Sequence, residues 1–306
     1  MKTSHERLGV IINPAAGRNK GKRVWQSIEN ELIQRNIRFK GVISTYPGKT
    51  EELARQMEKE GYSTLAVIGG DGTVNEVINN IDLAKTRVGI IPAGTGNDFC
   101  RSVQIPSRPI KALQIILDGH HRLIDVGHVQ GADFNRLFYN IAGIGFDAEI
   151  AREINEKFKW IGGAPAYILA VLKHLVTFKN FPVEIRFDDQ RPVKNSCFLL
   201  AVGNAKYIGG GLKLIPGAEI DDGLFHVLIA RNVGKMTVLA NLNNLFSGTH
   251  LSHPNIVEQI AKEVEILPTT EVKKIPTLHC DGEILGHIPA KISILPQRLK
   301  FILPIS

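Results

Sequence analysis

Cysteine is scarce in this chain of 306 residues: Cys100, Cys197 and Cys280 are odd in number, widely spaced and form no C-x-x-C pair. That excludes a disulfide framework and a cysteine-based zinc site, and it points to a reducing compartment. Long apolar runs are missing too. The most apolar stretch, Tyr167 to Phe178, is interrupted by Lys173 and His174 and is too short to span a bilayer. The first residues pass from charged side chains directly into a short strand pattern, so no signal peptide is expected. No helix-turn-helix pattern, zinc finger or aromatic RNA-binding motif accompanies the basic residues, which argues against a nucleic-acid partner. Repeats and low-complexity tracts are absent. The pairs His120-His121 and His250/His253 have no companions to complete a ligand set and receive no role.

What is present fits a globular protein with 43% hydrophobic and 22% charged residues, long enough for two domains with separate cores. The net charge of +7 is concentrated near the start, where residues 1–40 hold nine Lys/Arg against three Glu. Such a basic region serves a nucleotide, an anionic membrane surface or solubility alone. Composition does not choose among the three.

Gly69-Gly70-Asp71-Gly72-Thr73 organises the rest. The strand-formers Thr64 to Ile68 precede it and a helical pattern from Val74 to Ile78 follows. A buried strand ending in glycines at a helix start holds phosphate, because the backbone approaches oxygen closely and free N–H groups point at the anion. Asp71 would repel phosphate unless a cation intervened, and Mg²⁺ suits a carboxylate beside phosphate oxygens. A second such turn, Pro92 to Phe99, follows the strand Val88 to Ile91. Two glycine loops on adjacent parallel strands would face one another as a nucleotide site requires. An earlier unit has the strand Leu8 to Ile12, then Asn13-Pro14-Ala15-Ala16-Gly17, then Arg18, Lys20, Lys22 and Arg23, and a helix predicted from Val24 to Arg35. Gly48-Lys49-Thr50 is no Walker A motif, since Ile43 stands where its first glycine belongs.

From Asp125 onward short alternating strands predominate. Leu123 to Val129 and Arg136 to Ala142 form a predicted hairpin, and Gly143 to Ala148 fits a loose G-x-G-x-x-A pattern read as a strand end feeding a helix. Ala164 to Phe178 is a predicted apolar helix, and Val233 to Phe246 another. Strands are predicted at 183–187, 197–203, 224–230, 264–267, 277–280, 290–295 and 299–303, which suggests a β-sandwich.

The ordered motifs Asn13 to Gly17, Gly69 to Glu76, Gly94 to Phe99, Asp125-Val126-Gly127, Val202-Gly203-Asn204, Gly209-Gly210-Gly211, Ile220 to Leu224 and Asp281-Gly282-Glu283 resemble bacterial diacylglycerol kinase-like lipid kinases over nearly the whole chain. The resemblance implies an α/β fold: a Rossmann-like nucleotide-binding domain over 1–126, rejoined by 297–306, and a β-sandwich lipid-substrate domain over 127–296, with the active site in the cleft between them. It implies an ATP- and Mg²⁺-dependent kinase acting on a hydroxyl of diacylglycerol or a related lipid. The nucleotide would contact Thr45, Gly70, Asp71, Gly72, Thr73, Asn75, Glu76 and Thr95, with Asn13, Gly17, Gly69, Gly94 and Gly96 completing its motifs. Asp222 would hold a structural Mg²⁺, helped by carbonyls near Glu219 and Leu224. Asp71, Asp98 and Asp125 would line the site, and Glu283 would accept the hydroxyl proton. A cytoplasmic enzyme held peripherally on the anionic inner face of the membrane follows, with a homodimer left open. Two rivals stand beside this reading: a kinase of another lipid or of a soluble metabolite, NAD foremost, and a nucleotide-binding regulator without catalysis.

Overall fold

Strands with no polar interruption must be covered on both faces, which parallel sheets flanked by helices achieve. The first part of the chain follows this rule. β1 (Leu8–Ile12), α1 (Ala16–Gln34), β2 (Phe39–Ile43), α2 (Lys49–Lys59), β3 (Thr64–Gly69), α3 (Asp71–Ile78) and β4 (Arg87–Pro92) alternate, followed by α4 (Asp98–Ser102) and α5 (Pro109–Asp118). The computed structural model describes residues 7–158, 161, 163–271 and 274–305. β1 pairs in parallel with both β2 and β3, and β3 with β4. Val10, Ile11, Ala66, Val67 and Ile90 of the strands and Ile28, Leu32, Ala54, Met57, Leu113 and Ile116 of the helices are all buried.

The remaining elements are β5 (His121–Gly131), β6 (Asn135–Phe138), β7 (Ile141–Gly145), α6 (Phe146–Glu153), α7 (Gly163–Leu175), β8 (Phe181–Phe187) and β9 (Val193–Gly203). After them come β10 (Phe225–Arg231), α8 (Lys235–Ser247), β11 (Ile256–Ala261), β12 (Glu263–Pro268), β13 (Thr277–Cys280), β14 (Glu283–His287) and β15 (Ala290–Ile302). A π-helical turn, Ile154–Phe158, extends α6. The chain splits into two compact units, Met1–Ile124 with Gln297–Ser306, and Asp125–Pro296.

In the second unit the ladders among β5 to β14, and that of β12 with β15, are antiparallel. The long strand β9 is where the pairing branches: residues 193–197 pair with β8, whereas residues 199–203 lie between β7 and β10. Alternate side chains of these strands meet in one core containing Ile144, Val183, Ile185, Leu200, Val202, Val227, Ile229, Val264, Ile266, Leu278 and Ile292. In the first unit, the end of β15 adds a parallel partner to β4 through Phe301 and Val88. Phe301 also packs edge-on against Phe99, with ring centroids 5.0 Å apart.

Several boundaries differ from the sequence reading. The range of α1 opens at Ala16 rather than Val24, but Gly17, Arg18 and Asn19 have left-handed φ of 55°, 60° and 67°, so the continuous right-handed helix starts only after this kink, about one turn before Val24. α5, β11 and β14 were not predicted; α5 shows Pro109 in its first turn and a left-handed Gly119 after its end, the usual start and stop signals. The hairpin strand Arg136 to Ala142 is two strands, because Tyr139 and Asn140 turn away from β6 before β7 starts. The strands predicted at 290–295 and 299–303 are one, β15, running through Pro296. Among the described residues, no helix is long and apolar enough to cross a membrane.

Candidate functional site

In the first unit the strand order β4-β3-β1-β2 reverses direction between β1 and β3. Open α/β sheets bind ligands outside the carboxyl ends of strands at such a switch point. The segments found there are Asn13 to Asn19 after β1 and Gly70 to Thr73 after β3, with Ala93 to Asn97 beside them after β4.

These loops interlock. Asn13 accepts a hydrogen bond from the Ala15 amide at 3.1 Å and donates through Nδ2 to the Thr73 hydroxyl at 3.0 Å, joining the first loop to α3. A Cβ at Gly17 would sit 2.0 Å from the Ala93 carbonyl oxygen, and its φ of 55° is itself left-handed, so glycine is required twice over. A Cβ at Gly94 would sit 2.6 Å from the Gly70 Cα, so the second and third loops touch backbone to backbone. Asp71 closes the arrangement: its carboxylate accepts from the Asp98 amide at 3.0 Å and the Phe99 amide at 3.2 Å, capping α4 rather than its own helix. Burial pushes its carboxyl up from the ordinary value, while those amides and the charge of Arg101 pull the other way. Asp98 is buried and paired with Arg101 at 3.0 Å.

The structure therefore gathers Asn13, Gly17, Gly69, Gly70, Asp71, Gly72, Thr73, Gly94, Thr95, Gly96 and Asp98 at one end of the sheet. Gly72 and Thr95 are exposed there. Asn75 and Glu76 lie a turn further along α3, and Asn75 is buried, accepting from Asn79 at 3.1 Å. Thr45 stands apart, exposed just beyond the edge strand β2.

In the second unit Asp125 is fully buried and holds the loop before β10. Its amide donates to the Ile220 carbonyl at 2.7 Å and its carboxylate accepts from the Gly223 amide at 2.7 Å. Within that loop Asp222 accepts from the Leu224 amide at 3.0 Å, and Glu219 is exposed. Among the described residues no three His, Cys, Asp or Glu side chains gather into a metal cluster. A cation at 219–224 would be held by one carboxylate and main-chain carbonyls, a donor set that suits a hard ion keeping several waters.

Glu283 opens β14 with its side chain 49% exposed, and Arg136 donates to it at 2.8 Å. Asp281, which sequence reasoning placed in a motif but gave no role, supports that turn. Its two oxygens accept the amides of Tyr139, Asn140 and Ile141, each at 3.1 Å. Asn204 does similar work from β9's end, donating to the carbonyls of Asp125 and Tyr139 at 3.0 Å. Arg136 and the buried pair Asp147–His279 were missed altogether, since no local spacing announces partners separated by more than a hundred residues. A cavity of about 620 Å³ is lined by Gly145 and Thr277, at the opposite ends of β7 and β13 from the Asp281–Gly282–Glu283 turn. A smaller apolar recess lies under α8, lined by Phe146, Tyr167, Phe198, Leu242 and Leu245.

Comparison with known proteins adds an independent line. Residues 7–129 match the diacylglycerol kinase catalytic domain, and residues 140–303 match the YegS C-terminal NAD kinase beta sandwich-like domain. A relative named diacylglycerol kinase from Staphylococcus carnosus (strain TM300) is 30% identical over 98% of this chain and 95% of its own length. A solved structure from Bacillus anthracis str. Sterne, assigned as a diacylglycerol kinase, is 25% identical with a TM-score of 0.81, covering 99% of this chain and 97% of that one. An NAD kinase from Archaeoglobus fulgidus, solved with ATP, shares the fold at 12% identity and a TM-score of 0.52, over 97% of this chain and 93% of that one.

Proposed function

Because the chain belongs to the diacylglycerol kinase family, we propose that it transfers the γ-phosphate of ATP, with Mg²⁺, to a hydroxyl of diacylglycerol or a related lipid. The observation that carries the ATP half is the backbone contact between Gly70 and Gly94. It leaves two glycine loops side by side at the switch point, where Gly70, Gly72, Gly94 and Gly96 put no side chain of their own between phosphate oxygens and the main chain. Asp71 and Asp98 hold these loops in register. Mg²⁺, when bound, neutralises charge on the transferring phosphate. Asp222, with carbonyls of Glu219 and Leu224, is the proposed structural cation site, and Asp125 keeps that loop in place.

In the transfer the lipid oxygen forms a bond to the γ-phosphorus, the bond from that phosphorus to ADP breaks, and the hydroxyl proton passes to Glu283. Arg136 holds the Glu283 carboxylate in one orientation before the proton arrives. The lipid half draws support from the apolar recess under α8 and from Leu169, Leu172 and Val176, whose side chains remain exposed on and just after α7. Lys22 and Arg23, exposed on α1 beside the partly exposed Lys20, support a peripheral contact with anionic lipid.

The test presents MgATP with diacylglycerol, phosphatidylglycerol, a sphingoid base and NAD in parallel. Phosphorylated diacylglycerol or a close lipid analogue is expected, with Glu283→Gln slowing turnover by about 10²–10⁴-fold at unchanged ATP affinity. Product from NAD alone would refute the lipid reading. Full activity in Glu283→Gln would refute the base. ATP binding with turnover on no acceptor would favour a regulator.

A further inference from the structure

The loose dinucleotide pattern beginning at Gly143 and the glycine triplet beginning at Gly209 are left unexplained by nucleotide binding, and both abut one buried polar chain. His279, on β13, is fully buried, and its Nε2 lies 2.7 Å from Asp147 Oδ2 on α6. The other Asp147 oxygen accepts from the Tyr167 hydroxyl of α7 at 3.1 Å. His279 Nδ1 has no hydrogen-bond partner among the described residues, so Asp147 alone orients the ring. A Cβ at Gly143, the residue opposite His279 in the ladder, would fall 2.3 Å from His279 Nε2 and 2.4 Å from Asp147 Oδ2. A Cβ at Gly209 would fall 2.5 Å from the Tyr167 ring. Glycines of two separate motifs thus make room for the same three side chains.

Buried polar clusters often gain little in stability over apolar residues of similar size. Stability alone thus gives little reason for these three polar groups. Their placement suggests one. α6 grips the Asp281–Gly282–Glu283 turn from both sides: Asp147 holds His279, two residues before Asp281, and Asn155 in the following π-helical turn donates to the Gly282 carbonyl at 2.8 Å.

We propose that Tyr167, Asp147 and His279 are positioning residues that fix the turn carrying Glu283 and tie its alignment to helix α7. The catalytic part of this inference rests on the reading of Glu283 as the base; the structural part does not. A displacement of about 1 Å at a reacting group costs up to about 10²-fold in rate, so loosening the turn lowers turnover without touching ATP.

Tyr167→Phe is the mildest probe, because it keeps the ring against Gly209 and removes only the hydroxyl. Amide hydrogen exchange across residues 281–285 is expected to quicken in Tyr167→Phe and Asp147→Asn, while β10 stays protected. Unchanged exchange in that segment would overturn the proposal whatever Glu283 does. In the kinase assay kcat is expected to fall about ten-fold with KM for ATP unchanged, and to fall no further when Tyr167→Phe is added to Glu283→Gln. Equal losses in both backgrounds would assign the chain a general structural role and overturn the positioning. Rapid exchange together with full activity in Glu283→Gln would remove the base assignment and leave the grip on the turn standing.

Discussion

Replacing Asp281 removes the carboxylate to which three main-chain amides donate. The three amides it serves belong to Tyr139 and Ile141, both 0% exposed, and Asn140, 4% exposed. Oδ2 takes one of them and Oδ1 the other two. Asparagine keeps one acceptor oxygen and tolerates the left-handed φ of 48° at this position, so Asp281→Asn holds the pair and loses the Tyr139 bond. One unsatisfied buried donor costs about 1–3 kcal/mol. Alanine loses all three and adds backbone strain, and water entering beside the partly exposed carboxylate site recovers some of that loss. About 4 kcal/mol for alanine and about 1.5 kcal/mol for asparagine are the working values. At roughly 3 °C per kcal/mol for a unit of this size, melting should fall by roughly 12 °C and roughly 4.5 °C. Differential scanning calorimetry on the full chain reads both variants against wild type. Two variants melting within a degree of wild type, or asparagine falling as far as alanine, would refute an argument built on counting stranded amides.

Two further changes probe other parts of the fold. Gly94→Ala forces a methyl group against the Gly70 backbone and should raise KM for ATP by about ten-fold or more, with the second unit's melting unaffected; an unchanged KM would separate the paired loops from nucleotide binding. Glu153 is held at about 2 by hydrogen bonds from Lys173 and then His174. A carboxylate depressed in the folded state stabilises it above the ordinary value near 4.5 and loses that contribution as pH falls toward 2. Glu153→Gln should therefore flatten the decline in stability over that window in acid titrations, and parallel decline in the two proteins would count against the ion cluster.

The parts of the fold that were legible in the sequence are those where burial is uniform. β1, β3 and β4 are short apolar runs, β3 ending in glycine and β4 in proline, and runs of this length and ending suit a covered parallel strand. β14 left no such trace, because its five residues are half-exposed and include Gly286. β11 alternates weakly for the same reason. The two strands expected at 290–295 and 299–303 join through Pro296 in β15, because β12 pairs only as far as Ser293 and β4 joins at Phe301, so proline sits where no hydrogen bond to those strands is required. At the candidate site, the glycine loops were legible because main-chain geometry imposes its own residue type. The roles of Asp281, Asp147 and His279 were not, because each depends on a partner more than a hundred residues away.

The two stretches that build the first unit are separated in time as well as in sequence. A ribosome makes residues 7–124, then the whole of the second unit, and only afterwards the segment whose Phe301 covers Phe99 and whose Leu303 amide meets the His120 carbonyl at 3.0 Å. Until then β4 lacks its outer neighbour, and an apolar edge waits in the nascent chain. Chaperone dependence during synthesis should accordingly fall on the first-made unit, and a reporter split between residues 124 and 297 should regain its fold when the short late segment is supplied in trans.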